Sequence, residues 1–262
     1  MIENKVVWIT GASGGIGEAL ALACAERGAR LVLSARKEAE LNRVKAACTK
    51  SPDVLVLPLD VTNFERMPQV VQTVLSHFGS IDVLINNAGI SQRSYAENTE
   101  LDVDRRIMDI NFFGTVALTK AVLPHFLERK TGHFVTISSV MGKIGTPLRS
   151  AYAASKHALH GFFDCLRAEV TDRRVHVLMV CPGMIATDIS KNSLTGDGGK
   201  YNKMDDGQAN GMDPARLATR VIKALEKRED EIYVGGKEIG GIYLQRFVPG
   251  ILRRVVRRMK VT

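Results

Sequence analysis

Apolar positions along the first two-thirds of the chain fall into two alternating patterns. Short, nearly continuous apolar runs occur at Val6–Thr10, Arg30–Ser34, Val54–Leu59, Ile81–Asn86, His133–Ser138 and Val175–Val180. Runs of this length, rich in β-branched residues and without polar alternation, predict strands covered on both faces. Helix-length segments lie between them, among them Gly14–Arg27, Glu38–Cys48 and Phe64–His77. This alternation predicts right-handed crossovers and an α/β fold: one doubly wound, Rossmann-type parallel sheet with helices on both faces. No internal repeat or low-complexity linker interrupts the pattern, so residues 1–262 read as a single domain. Residues 187–213 break the rhythm, being polar, Gly-rich and poor in β-branched residues. They follow a strand end, where open parallel sheets place ligands, and they read as a substrate loop or lid.

Composition changes this picture little. The chain is 45% hydrophobic and 24% charged, an ordinary globular balance. Cys24, Cys48, Cys165 and Cys181 share no metal-type or redox-type spacing and read as free thiols. No apolar run approaches the roughly 18 residues of a spanning helix. The N-terminal "MIENKVVWITG" has no basic segment followed by an apolar one, so a cytoplasmic location is expected. The formal charge of +8 is uneven: no acid follows Glu238, whereas Arg246, Arg253, Arg254, Arg257, Arg258 and Lys260 do.

Two stretches carry candidate chemistry. "ITGASGGIGEAL" follows the first strand and opens the first helix, with Gly11, Gly15 and Gly17 in a T-G-x-x-x-G-x-G spacing. Glycine permits the tight turn and lets backbone N–H groups approach a pyrophosphate at the helix N-terminus. "AYAASKHALHGF" places Tyr152 and Lys156 four residues apart, on one helix face. A free phenol has a pKa of about 10. A fixed neighbouring cation lowers it and so suits the phenol to proton transfer near neutral pH.

Together with "NNAG" at Asn86–Gly89, these motifs resemble the short-chain dehydrogenase/reductase family, from Lys5 to about Val234. The resemblance implies a parallel sheet of about seven strands and a nicotinamide dinucleotide cofactor. Carried over onto this sequence, it places Gly11, Ser13, Gly14, Gly15, Ile16 and Gly17 at the phosphates, and Asp60 and Val61 with Asn87, Ala88 and Gly89 at the adenosine side. Pro182, Gly183, Ile185 and Thr187 would fix the nicotinamide face, and Lys156 would hold the ribose hydroxyls. Ala35 occupies the position where NAD-preferring relatives carry an acid, and Arg36 and Lys37 follow it. A guanidinium suits a 2′-phosphate, so NADP(H) is the expected cofactor.

The same resemblance assigns the catalytic set as Asn111, Ser139, Tyr152 and Lys156. Ser139 stands thirteen residues before Tyr152 and would hold the substrate carbonyl, while Ser138 reads as a backbone cap. Tyr152 would be general acid/base, resupplied through Lys156, a water and Asn111. The expected reaction interconverts a carbonyl and a secondary alcohol by hydride transfer. The alternative is a dinucleotide-binding sensor or scaffold without catalysis.

The chain looks nearest to the 11β-hydroxysteroid dehydrogenase-like branch and its dehydrogenase/reductase member 7 group. That implies a bulky, lipophilic small-molecule substrate, and Met141, Ile144, Leu148 and Met184 flank the catalytic groups in sequence. It also implies a homodimer or homotetramer built on helices around Leu101–Glu128 and Tyr152–Val170. His157 and His160 lack a third ligand nearby in sequence, so no metal is expected, and Trp8 reads as core. No nucleic-acid module accompanies the basic tail.

That tail, residues 239–262, sets Ile251, Leu252, Val255, Val256 and Met259 on one helical face and Arg253, Arg254, Arg257 and Arg258 on the other, after a break at Pro249 and Gly250. Two readings fit it: peripheral contact with an anionic membrane, or docking over the substrate cleft or a partner subunit.

Overall fold

A computed structural model describes residues 2–258, so the expectations placed on Met259 and Lys260 lie outside the described residues. Seven strands form one parallel sheet: β1 (Val6–Thr10), β2 (Arg30–Ser34), β3 (Val54–Val56), β4 (Val83–Asn86), β5 (Gly132–Ile137), β6 (Val175–Pro182) and β7 (Glu231–Val234), in the order β3-β2-β1-β4-β5-β6-β7. The helices are α1 (Gly15–Ala25), α2 (Glu38–Ala47), α3 (Met67–Phe78), α4 (Leu101–Met108), α5 (Gly114–Arg129), α6 (Ser150–Val170), the single turn α7 (Asp206–Ala209), α8 (Pro214–Lys227), α9 (Gly240–Phe247) and α10 (Pro249–Arg258).

Strand residues alternate between two apolar layers. Val7 and Ile9 of β1 pack with α1, α2 and α8 through Leu20, Leu41, Leu217 and Val221. Val6 and Trp8 point the other way, against Val74 of α3, Val122 and Phe126 of α5 and Phe163 of α6. Trp8 is fully buried as expected, and its indole N–H donates to the Ser34 hydroxyl at 2.9 Å. Burying both faces explains why the strands read as unbroken apolar runs.

At the sheet's amino edge, buried Asp82 accepts from Val6 N–H at 2.9 Å and from the Arg129 guanidinium at 3.1 Å. It thereby fixes the start of β1 against the end of α5. Helices α4 and α5 are joined without a break by a five-residue π-turn, Asp109–Phe113. The continuous helix Leu101–Arg129 is long and apolar enough to cross a membrane by length and composition. Here Val103 and Ile107 of α4, and Leu118, Val122 and Phe126 of α5, are buried in the protein core.

Residues 187–213 are irregular but closely stitched. Their base is closed by a bridge between Ile185 and Met212, and Leu194 pairs with Gln92 on one side and Lys200 on the other. Ser190, Ser193, Leu194 and Asp205 are all buried.

The tail folds back onto the domain. Val248 leaves helical geometry, and Pro249 opens α10 instead of merely ending α9. The expected single apolar stripe is split. Leu252 and Ile242 are buried with Val140 and Ile144, and Val256 packs against that cluster. Ile251 and Val255 are exposed. Docking beside the cleft therefore holds for one half of the stripe only.

Candidate active site

Strand order reverses between β1 and β4, so the connections from these strands part and leave a crevice at their carboxyl ends. The Thr10 hydroxyl accepts from Asn87 N–H at 3.0 Å and Ala88 N–H at 3.1 Å. In return the Asn87 amide donates to the Thr10 carbonyl at 2.9 Å and the Gly11 carbonyl at 3.2 Å. The two loops are thus tied at their roots, and one open cleft of about 1410 Å³ extends from them along the strand ends.

At the first end of the cleft, Gly11 turns the chain with φ +65°, a conformation that favours glycine. A Cβ on Gly17 would stand 2.1 Å from the Gly11 carbonyl oxygen, so only glycine lets helix and turn meet there. Gly17 is buried and backs the loop, while Gly11, Ser13, Gly14, Gly15 and Ile16 face the cleft. No side chain caps α1 at Gly14, and a Cβ there would meet nothing within 4 Å. The first-turn N–H groups and the positive end of the helix are therefore presented to open space, as a pyrophosphate requires.

Arg36 and Lys37 lie beyond the end of β2, on the cleft. Asp60 accepts from Thr62 N–H at 2.9 Å and the Thr62 hydroxyl at 2.7 Å. Burial alone would raise its pKa, but the Thr62 hydrogen bonds and the Arg36 and Arg106 guanidiniums hold it below the ordinary carboxylate value. Val61, Asn87, Ala88 and Gly89 complete this end. The residues present fit an extended dinucleotide with an anionic centre and a charged adenosine end.

At the other end, Ser139, Tyr152 and Lys156 converge with Pro182, Gly183, Ile185 and Thr187. Ser139 follows β5 and accepts from Met141 N–H at 3.1 Å, so it is Ser139 that caps the turn Val140–Gly142. The assignment of capping to Ser138 is corrected: Ser138 turns inward, 3.0 Å from His160 Nε2. The Ser139 hydroxyl hydrogen-bonds the Tyr152 phenol. Lys156 Nζ donates to the Ile137 carbonyl at 2.8 Å and sits 5.9 Å from the Tyr152 ring centre.

The sequence predicts a phenol pKa lowered by Lys156, and the folded site differs. Burial raises the Tyr152 pKa above its ordinary value, against the opposing pull of Ser139, Arg149 and Arg93. Burial likewise pushes Lys156 down to about 8. Both groups lose solvation of their charged forms in the same dry corner, which mutual attraction does not offset.

Asn111 reaches this corner from the π-turn but does not line the cleft. Its carbonyl oxygen Oδ1 accepts from Ile90 N–H at 2.8 Å, and Nδ2 donates to the Ile90 carbonyl and the Ser155 hydroxyl, both at 2.9 Å. A Cβ on Gly89 would stand 3.1 Å from Asn111 Oδ1 and 3.6 Å from Lys156 Nζ, so both groups flank that glycine. The amide is committed to holding the β4 loop.

Two further features escaped the sequence. Glu238, at the start of the tail, accepts from Met184 N–H and Gly236 N–H, both at 2.9 Å, and so pins the Pro182–Ile185 wall. His160 also has neighbours that sequence spacing hid: its ring, the Cys181 thiol and the Glu231 carboxylate lie within 4.8 Å of one another. The Lys143 ammonium already occupies Glu231 at 2.9 Å, and burial pushes His160 down to about 4, so this cluster is a neutral imidazole beside an ion pair. Of the apolar residues expected in a pocket, Met141 and Met184 line the cleft, whereas Ile144 faces the tail.

The depressed Lys156 has a stability consequence. Between pH 8 and 10.5 the unfolded chain binds a proton that the folded protein has released, so stability contributed by this group rises with pH across that window. At pH 7 its burial costs about 3 kcal/mol. Lys156→Met should therefore be more stable than wild type at pH 7, and the difference should shrink by pH 10. Denaturant titrations at the two pH values measure it; a pH-independent difference refutes the assignment.

Comparison with known proteins agrees with this geometry. Residues 5–197 match the short chain dehydrogenase family. The chain is 44% identical over 256 residues to "Dehydrogenase/reductase SDR family protein 7-like" of Drosophila melanogaster, covering 95% of this chain and 78% of that one. It is 42% identical over 263 residues to "Dehydrogenase/reductase SDR family member 7B" of Bos taurus, covering 97% and 81%. Among solved structures, a short-chain dehydrogenase from Streptomyces avermitilis superposes with a TM-score of 0.82 at 30% identity, covering 97% of this chain and 96% of that one. One from Burkholderia cenocepacia, in complex with NADP, gives 0.81 at 28% identity over 98% of each chain. With its seven-stranded doubly wound sheet and its glycine turn and Tyr–Lys pair on one cleft, this chain belongs to the short-chain dehydrogenase/reductase family, in its member 7 branch.

Proposed function

We propose that the protein is an NADP(H)-dependent oxidoreductase that interconverts a carbonyl and a secondary alcohol on a bulky, largely apolar substrate. The observation that carries this reading is the meeting of Ser139, Tyr152 and Lys156 in the same cleft as the uncapped start of α1. A non-catalytic binder has no need of a buried phenol hydrogen-bonded to a serine.

The cofactor, when bound, supplies or accepts hydride at the substrate carbon. The first-turn N–H groups of α1 hold its phosphates, Arg36 and Lys37 its 2′-phosphate, and Lys156 its nicotinamide ribose. Ser139 and Tyr152 donate hydrogen bonds to the carbonyl oxygen and stabilise the negative charge that builds there. Tyr152 transfers its proton to that oxygen. Lys156 stabilises the phenolate left behind, and its pKa near 8 suits it to pass a proton on. Asn111 positions the Ile90 loop and the Ser155 hydroxyl through its amide, and the route through Lys156, a water and Asn111 would return the proton to Tyr152. Residues 187–213 serve as the lid, and Met141, Met184 and Leu194 supply apolar wall. A dimer through α4, α5 and α6 is supported by exposed Leu101 at the start of α4 and by exposed Phe113, whose ring meets Phe112, itself against Phe162 of α6.

A second reading concerns the tail. Tyr243, Phe247, Val248, Ile251 and Val255 are exposed, Phe247 at 75%, next to arginines of α9 and α10. An apolar ridge with guanidiniums suits the interface of an anionic bilayer. It would set the cleft mouth beside a source of lipid-soluble substrate.

Three outcomes follow. Tyr152→Phe should retain NADPH binding, read by fluorescence titration, and lose turnover by about 10³-fold; persistent turnover would remove the phenol from the mechanism. Wild type should bind NADPH more tightly than NADH, and Arg36→Ala should weaken NADPH on the order of tenfold with NADH little changed; equal affinities in wild type would sink the NADP(H) assignment. Co-sedimentation with phosphatidylserine vesicles at low salt should fall in Phe247→Glu/Ile251→Glu, which spares the buried Leu252; no sedimentation of wild type would leave the tail a purely structural element.

A further inference from the structure

Two arginines reach the substrate end of the cleft, and one carboxylate answers them. Arg93, in the loop after β4, is 7% exposed and donates through Nε to Asp205 Oδ2 at 2.8 Å. Its Nη2 also meets Asp205, and its Nη1 is spent on the Ser91 hydroxyl and the Gln92 carbonyl. Arg149, at the N-cap of α6, donates through Nη2 to the same Asp205 Oδ2 at 3.2 Å. Among the described residues, the Arg149 guanidinium makes no other hydrogen bond, and Arg149 lines the cleft with Tyr152.

Charge does not close in this corner. Asp205 brings one negative charge against two guanidiniums. Arg149 is moreover the wrong residue for its place. The positive end of a 21-residue helix disfavours a cation, and the side chain that meets that end, Gln92 accepting from Ala151 N–H at 2.9 Å, brings no negative charge. Burial accordingly pulls the Arg149 pKa below its ordinary value, with Arg93 pulling the same way. An anion seated there would meet a guanidinium already aligned by Asp205.

Resting on the oxidoreductase reading, we propose that Arg149, held by Asp205 beside the Tyr152 phenol, receives an anionic group of the substrate, a carboxylate or a phosphate. The substrate class is then an amphiphilic ketone or secondary alcohol. Its charged head lies on Arg149, its reacting carbon at Tyr152 and its apolar remainder along Met141, Met184 and Leu194. Arg93 is the structural partner: it keeps Asp205, and with it the lid, in place, leaving Arg149 to bind.

The competing account is that all three charges merely pin the lid. Matched ketones separate the two. Reduction by NADPH is measured for 4-oxononanoate and its methyl ester, and for hydroxyacetone phosphate and hydroxyacetone. Wild type should favour the anionic member of at least one pair in kcat/KM, and which pair it is tells carboxylate from phosphate. In Arg149→Met that preference should fall on the order of tenfold to a hundredfold, and Arg149→Lys should restore part of it. A lid-only role lowers both members together and leaves the ratio unchanged, which would overturn the proposal. Binding of decanoate and of decyl phosphate to the cofactor-loaded protein, by calorimetry, stands apart from turnover. Saturable binding of either, weakened at least tenfold in Arg149→Met, supports the site even if no ketone reacts, in which case it is the oxidoreductase reading that fails. If neither probe binds wild type, or both bind Arg149→Met equally well, the anion site does not exist.

Discussion

The knot between Thr10 and Asn87 is the constraint on which the rest of the molecule depends. At the point where strand order reverses, nothing in the sheet itself fixes how far the β1 and β4 loops part. A hydroxyl accepting two backbone N–H groups and an amide donating to two carbonyls set that opening from both sides. Gly17 can then press against Gly11, α1 can start uncapped toward the crevice, and Gly89 can pass between Asn111 and Lys156. Cofactor end and reacting end are two consequences of one junction.

The site charges the fold for its chemistry. Lys156 and Tyr152 are buried without a neutralising partner, and the Arg93–Asp205–Arg149 cluster carries excess positive charge in the same region. Such groups lower stability in the ligand-free protein. What sustains them is a sheet packed on both faces, with Trp8, Phe126, Phe134 and Phe163 fully buried behind it. A bound nicotinamide dinucleotide would bring negative charge and hydrogen-bond partners to this cleft, so binding would relieve a penalty that folding has already incurred.

Much of the architecture was legible because it is periodic. Six strands announce themselves as apolar runs, and the glycine turn sits where a strand becomes a helix. β7 escaped because four residues, one of them Glu231, are too few to show a pattern. β3 is shorter than its apolar run, although Leu57 and Leu59 still donate to β2 and its extension; Pro58 between them faces the open edge of the sheet, where no N–H is needed. The site was legible as far as it is local. Tyr152 and Lys156 share a helix face, but their protonation depends on burial that spacing cannot report. The roles of Ser138 and Ser139 turn on which hydroxyl faces His160. Arg93, Arg149 and Asp205 come together across 112 and 56 residues, with no local signal at any of the three. The tail's amphipathic stripe showed that an apolar face needs cover, and only the folded chain shows that half of it finds Val140 and Ile144.

The π-turn at Asp109–Phe113 gives the long helix two phases. One extra residue in a helical circuit rotates everything downstream by about 100° relative to an unbroken α-helix. Upstream, Val103 and Ile107 face Leu194 of the irregular segment and Ala151 at the start of α6. Downstream, Leu118, Val122 and Phe126 face the sheet. A regular helix of the same sequence could satisfy one of these cores but not both. The turn works as a fixed phase shifter in a single hydrogen-bonded rod: the upstream half keeps time with the lid, the downstream half with the sheet, and Asn111 marks the offset between them.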